Sequence, residues 1–159
     1  MKYTCIKTVA IYLLATLPLL ANASTHKVKI THSVMVGDGI AKFIPEGFDA
    51  QKIPSFAIEK EPREQGALPA DWVLVPEFSL TDGKANASLT VPEGTSIYGG
   101  GEVTGSLLRN GKTIKLWNTD SGAYGVDKGT RLYQSHPWMM GVRKDGTAFG
   151  ILFDTTWKA

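Results

Sequence analysis

Residues 138 to 153 read WMMGVRKDGTAFGILF. Two apolar runs, Trp138 to Lys144 and Thr147 to Phe153, flank Asp145-Gly146. Aspartate and glycine both tolerate positive φ, so the pair at the two central positions predicts a tight β-hairpin. The rest of the chain supports the same fold class, because it carries no long 3.6-residue periodicity. Short β-rich runs alternate instead with Gly, Pro and Asp turns. His26 to His32 alternates, with Val28 and Ile30 on one face. Trp72 to Val75 and Ser88 to Val91 predict further strands, with Asp82-Gly83 as a turn between them, and Ile114 to Trp117 alternates again. Residues 44 to 71 carry Pro45, Pro54, Pro62 and Pro69 and the charged run from Glu59 to Glu64, which predicts an irregular surface connection. Many short strands with frequent turns imply an all-β fold, an antiparallel β-sandwich.

The chain has 159 residues, enough for one modest domain. Its first 23 residues read as a secretory signal peptide. Lys2 and Lys7 give a positive start, Val9 to Leu20 is an apolar run, and Ala21-Asn22-Ala23 places small residues where a signal peptidase reads. The run falls short of the roughly 20 residues that span a bilayer. A buried N-terminal helix is the alternative, and Pro18 disfavours it. The expected mature domain is 24–159, released to the periplasm or outside the cell. Asn86-Ala-Ser88 is also a glycosylation sequon, so the organism stays open.

Removing the leader takes away Cys5, the single cysteine, and with it any disulfide or thiolate metal site. The full chain has 17 Lys plus Arg against 15 Asp plus Glu; two of the lysines lie in the leader, which leaves 15 against 15. A neutral balance offers no electrostatic case for nucleic acid or for an anionic membrane surface. The histidines, His26, His32 and His136, are not spaced as zinc ligands. His136 lies between Ser135 and Pro137 and reads as a bonded structural residue. No metal and no cofactor are expected.

Tyr98-Gly-Gly-Gly-Glu-Val-Thr-Gly105 invites a nucleotide-loop reading and fails on spacing. From Gly99 the third glycine position of a dinucleotide fingerprint is Thr104, and Gly105 is not followed by the Lys of a P-loop. A bulge or tight bend beside a strand is the expectation. No Gly-x-Ser-x-Gly supports serine hydrolysis. Carboxylates matter more in an exported β protein, because sugar hydrolysis uses them in pairs. Glu102 and Asp120 are the two acids in the most distinctive part of the chain. Glu102 at a strand end suits bonding to backbone N–H groups in the bend. Asp120 follows Trp117 and Asn118 and heads the loop Ser121-Gly-Ala-Tyr-Gly125. There it suits either hydrogen bonds from sugar hydroxyls or ordinary turn capping. Trp117, Tyr133 and Trp138 read as core.

Five short pieces stand in order between residues 98 and 157: Tyr98-Gly-Gly-Gly-Glu102, Leu108-Arg-Asn-Gly111, Leu116-Trp-Asn-Thr-Asp120, Leu132-Tyr-Gln-Ser-His-Pro137 and Ala148-Phe-Gly-Ile-Leu-Phe-Asp154. Together they resemble the N-terminal β-sandwich of glycoside hydrolase family 31, the α-glucosidases and α-xylosidases. Residues 24 to 97 fit only loosely, and Gly100 stands where the family more often has a larger residue. The resemblance implies a galactose-mutarotase-like sandwich ahead of a (β/α)₈ barrel that carries both catalytic aspartates. A barrel needs roughly 250 residues, so this chain has no catalytic residue of its own and is expected to be inactive alone. The chain stops soon after an apolar strand, which reads as a truncated piece of an exported retaining α-glycosidase. The implied partners are an oligosaccharide or α-glucoside substrate and the barrel of the same polypeptide. The resemblance further implies that Asp120 lies on a loop reaching over the barrel mouth, where it accepts bonds from sugar hydroxyls without a covalent role. Trp117, Tyr133 and Pro137 would then frame that loop. A free-standing carbohydrate-binding or partner-binding sandwich is the second reading, and a non-functional fragment the third.

Overall fold

The structure, a computed structural model, describes the backbone of residues 7–11 and residues 25–49, 62–120 and 131–155. The expected cleavage site at Ala23, the loop from Ser121 to Gly125, Asp127 and Pro54 lie outside the described residues. The regular elements of the described chain are all strands: β1 (Lys7–Ile11), β2 (Thr25–Val28), β3 (Ile30–Gly37), β4 (Ile40–Pro45), β5 (Glu77–Thr81), β6 (Lys84–Ser88), β7 (Ser96–Gly99), β8 (Trp138–Val142) and β9 (Ala148–Phe153). A six-stranded sheet runs β3-β4-β1-β9-β8-β7, and a three-stranded sheet runs β2-β5-β6. All pairs are antiparallel except those of β1, which is parallel to β4 and to β9.

The two sheets pack through one apolar cluster. Ala41 and Phe43 of β4 and Phe149 and Ile151 of β9 come from the large sheet, and Phe78 of β5 comes from the small one. Trp72 and Leu74 complete it from the segment before β5. Burying a side chain of this size removes enough apolar surface to contribute about 1.5–3 kcal/mol. Along residues 72–75 burial alternates as the sequence predicts, with Val73 and Val75 exposed. No ladder forms there, and Trp72 instead donates its indole N–H to the Leu74 carbonyl at 2.9 Å. Proline at 69 and at 76 brackets the segment, and proline has no N–H for a ladder.

Several expectations change in detail. His26 to His32 is not one strand: Thr25–Val28 joins the small sheet and Ile30–Gly37 the large one, with Lys29 at the crossing. The expected strand from Ser88 to Val91 instead ends at Ser88, closing the β5–β6 hairpin. Residues 112–120, including Ile114 to Trp117, form no regular strand. Part of the expected irregular connection is ordered against β3. Met35 exchanges backbone bonds with it, accepting from Gln65 at 2.7 Å and donating to Gly66 at 2.8 Å, while His32 Nε2 meets Glu64 Oε1 at 2.7 Å.

The turns follow the residues that make them. Asp82 and Gly83 both have positive φ, 51° and 70°, and join strands paired Thr81 to Lys84, as a two-residue hairpin requires. The 138–153 hairpin forms, but with a three-residue loop. Arg143 donates its N–H to the Thr147 carbonyl at 2.8 Å, and Gly146 donates to the Arg143 carbonyl at 3.0 Å. Of the two turn residues only Gly146 has positive φ. Asp145 stays in a normal conformation because its Oδ1 accepts from the Thr147 N–H at 2.9 Å and hydroxyl at 2.7 Å. Those bonds, the side-chain one foremost, hold the Asp145 carboxyl below its ordinary pKa. Behind the turn, the Arg143 guanidinium sits 4.8 Å from the centre of the Phe149 ring. That ring covers Gly141, its partner in register on β8, and the Trp138 ring reaches diagonally across to cover Gly150.

Two outcomes follow for this hairpin. Gly141→Ala puts a methyl into the Phe149 ring and should cost about 1–3 kcal/mol, read as a lower urea midpoint. Thr147→Val should raise the Asp145 pKa in an NMR titration. Because the folded pKa is depressed, the Asp145 contribution to stability is present above the unfolded value. It fades as pH falls through the folded value, and the variant should weaken that dependence.

Candidate functional site

The distinctive residues gather where the large sheet ends beyond β7 and β8. β7 finishes in Gly99, and Gly99, Gly100 and Gly101 all have positive φ, at 114°, 81° and 93°. The three glycines bend the chain against the 134–138 backbone. Gly100 donates its N–H to the Trp138 carbonyl at 2.9 Å and Glu102 donates to the Gln134 carbonyl at 2.7 Å. A Cβ at Gly101 would stand 2.5 Å from the Gln134 carbonyl oxygen and 2.7 Å from the Ser135 Cα, which no side chain tolerates. The glycine run is thus a bend beside a strand, as its spacing predicts. Glu102 serves it through its backbone, and its side chain is exposed.

On the other side of the same segment lies residues 117–120. Thr119 donates its N–H to the Leu132 carbonyl at 2.8 Å. Asn118 Oδ1 accepts two bonds, from the Ser135 N–H at 2.9 Å and the Ser135 hydroxyl at 2.5 Å. The side-chain amide therefore does for Ser135 what a neighbouring strand carbonyl would do. Residues 132–135 are held between the glycine bend and this second segment, and Asp120 stands at its end, exposed to solvent. Its exposed carboxylate follows directly on the pinned residues Asn118 and Thr119.

The outer edge of β7 is closed by the turn from Leu108 to Gly111, whose internal work the sequence did not disclose. Arg109 donates its N–H to the Ile97 carbonyl at 2.7 Å, and Asn110 Oδ1 accepts from the Ile97 N–H at 2.8 Å. Asn110 Nδ2 donates to the Thr95 carbonyl at 2.8 Å. The buried Arg109 guanidinium bonds the Gly99 and Ser106 carbonyls at 3.1 and 2.7 Å. An Asn-Gly pair signals a turn, and that was the one legible cue.

The aromatics depart from expectation. Trp117 is 48% exposed and Tyr133 52% exposed, so neither is core. They sit on irregular segments at the sheet's end, where no second layer of the described chain covers them. Trp138 is half-buried and Pro137 is buried. His136 is exposed.

Replacing Asn118 by Leu keeps the size and removes both bonds to Ser135. We expect a loss of about 0.5–1.5 kcal/mol, the usual net contribution of a hydrogen bond, with Ser135→Ala costing less. Faster hydrogen exchange at the Ser135 amide in the Asn118 variant would locate the effect; an unchanged amide would sink the latch.

The sequence is similar to known proteins over part of its length. An α-glucosidase 2 from Bacillus thermoamyloliquefaciens is 48% identical over 66 residues, 42% of this chain and 8% of the relative. An α-glucosidase from Hordeum vulgare is 42% identical over 80 residues, 48% of this chain and 9% of the relative. The chain thus spans less than a tenth of the length of these relatives. The N-terminal galactose mutarotase-like domain of glycosyl hydrolase 31 matches residues 50–159, which takes in β5 and β6 of the small sheet, the glycine bend, the Asn118 latch and the hairpin. By that match the chain belongs to glycoside hydrolase family 31, through its N-terminal galactose mutarotase-like domain.

Proposed function

We propose that these 159 residues are the N-terminal domain of an exported retaining α-glycosidase, most simply an α-glucosidase acting on terminal α-linked sugars. Both relatives carry that name and extend far beyond the matched region. On this reading the catalytic aspartates belong to a (β/α)₈ barrel of the same polypeptide, and the chain alone releases no glucose from an α-glucoside. The leader, residues 1–23, sends the protein to the periplasm or the medium.

The observation that carries the site reading is the placement of Asp120. It is exposed at the end of a segment pinned by Thr119 to Leu132 and by Asn118 to Ser135. A carboxylate offered to a pocket from a fixed root accepts sugar hydroxyls without a penalty for ordering its backbone. The exposed Leu107, Trp117 and Tyr133 stand on the segments around that root. They supply apolar and aromatic surface for packing against the barrel.

The test is Asp120→Ala in the longer polypeptide. A hydrogen bond to a charged group contributes about 1.5–3 kcal/mol, so kcat/KM on an α-glucoside should fall about 10- to 100-fold while the unfolding midpoint stays put. Kinetics equal to those of the parent would remove Asp120 from the substrate site.

A further inference from the structure

The place of β1 in the large sheet is anomalous. Among the described residues every strand pair is antiparallel except the two that β1 makes. Thr8 to Ile11 run parallel to Ile40–Phe43 of β4, and Lys7 to Ile11 run parallel to Phe149–Phe153 of β9. β4 and β9 are therefore parallel to each other across a gap one strand wide, about 10 Å at the usual spacing. Any strand in that gap is parallel to both walls or antiparallel to both. Only the antiparallel choice gives the whole sheet alternating polarity from β3 to β7, and sheets of one kind are favoured over mixed ones.

The gap cannot stay empty. Its walls carry Ala41, Phe43, Phe149 and Ile151, all buried members of the core. They lie in register with Lys7, Val9 and Ile11. Without a strand there, the core would open to water. The backbone N–H and C=O groups of two inner edges would also lose their partners. Yet residues 7–11 belong to the segment expected to be cut away before Ser24.

We infer that in the mature protein the place between β4 and β9 is taken by a strand of the same polypeptide C-terminal to β9, antiparallel to both walls. β9 has one edge on β8 and its other edge on this gap. A strand following β9 reaches the gap through a hairpin turn, the shortest connection available to an antiparallel neighbour. The inference rests on the reading that the 159 residues are part of a longer glycosidase, as their share of the relatives supports. β1 is then a stand-in that shows the gap accepts an extended apolar segment.

The test uses the protein as cells release it, with the leader removed. Hydrogen exchange read by mass spectrometry should show the amides of Ile40–Phe43 and Phe149–Phe153 exchanging about 100-fold slower than exposed-edge amides. A synthetic peptide of residues 5–13 in excess should fail to bind. Close contacts between α-protons of β9 and of the incoming strand, which antiparallel pairing brings together, should appear by NMR. Edge-like exchange, or binding of the peptide with slowing of those amides, would overturn the inference. So would protection that vanishes on dilution, which would make a second copy the occupant. Protected amides without α-proton contacts would overturn the antiparallel assignment. A released protein that is protected but inactive on α-glucosides would sink the functional reading alone. An active protein with fast-exchanging wall amides would sink only the strand.

Discussion

The Phe149 ring is the contact on which most of the fold depends. It is fully buried. It packs with Ala41 and Phe43 across the large sheet and with Phe78 of the small one, and so belongs to both layers. On its own hairpin it lies over Gly141 and under the Arg143 guanidinium. The ring thus couples three scales: the turn that closes β8 and β9, the register of those strands and the packing of the two sheets. A one-residue slip would move Phe149 to the opposite face and set it against Val142 or Met140 instead of a glycine. Packing and register specify each other here.

The site depends on a different constraint, the need of every backbone polar group for a partner. Where regular pairing stops beyond β7 and β8, side chains take it over. Asn118 stands in for a strand carbonyl facing Ser135, and Asn110 stands in for both a carbonyl and an N–H facing β7. The glycine run lets the neighbouring backbone come close enough for direct bonds. The result is a rigid end to the sheet built almost without strands, from which an exposed carboxylate projects.

Local chemistry was legible in the sequence, and long-range partnership was not. Asp82-Gly83 and the 138–153 hairpin follow from φ preferences and period-2 alternation, both local properties. The exact loop of the hairpin did not follow, because Asp145 satisfies Thr147 with its side chain and so avoids the positive φ that its neighbour adopts. The division of His26 to His32 between two sheets was hidden, since alternation continues across Lys29 while the pairing partner changes. Trp117 and Tyr133 were misread because an aromatic in an apolar run looks the same whether a second layer covers it or not. Asp120 stood out only as an acid in a distinctive loop. Its root is held through Asn118, which bonds Ser135 17 residues further on, a separation that no periodicity encodes.

The closure of the large sheet's margins has a consequence for how the domain behaves in company. At one margin, the Arg109-Asn110 turn occupies the N–H and carbonyl of Ile97 and the carbonyls of Thr95 and Gly99. At the other, the 65–66 segment occupies both polar groups of Met35 in the middle of β3. A sheet with bare margins is a template that recruits strands from other molecules. With these groups already engaged, an incoming strand finds no unbroken ladder at either margin. A strand from another molecule would have to displace bonds that the domain already makes to itself at these positions.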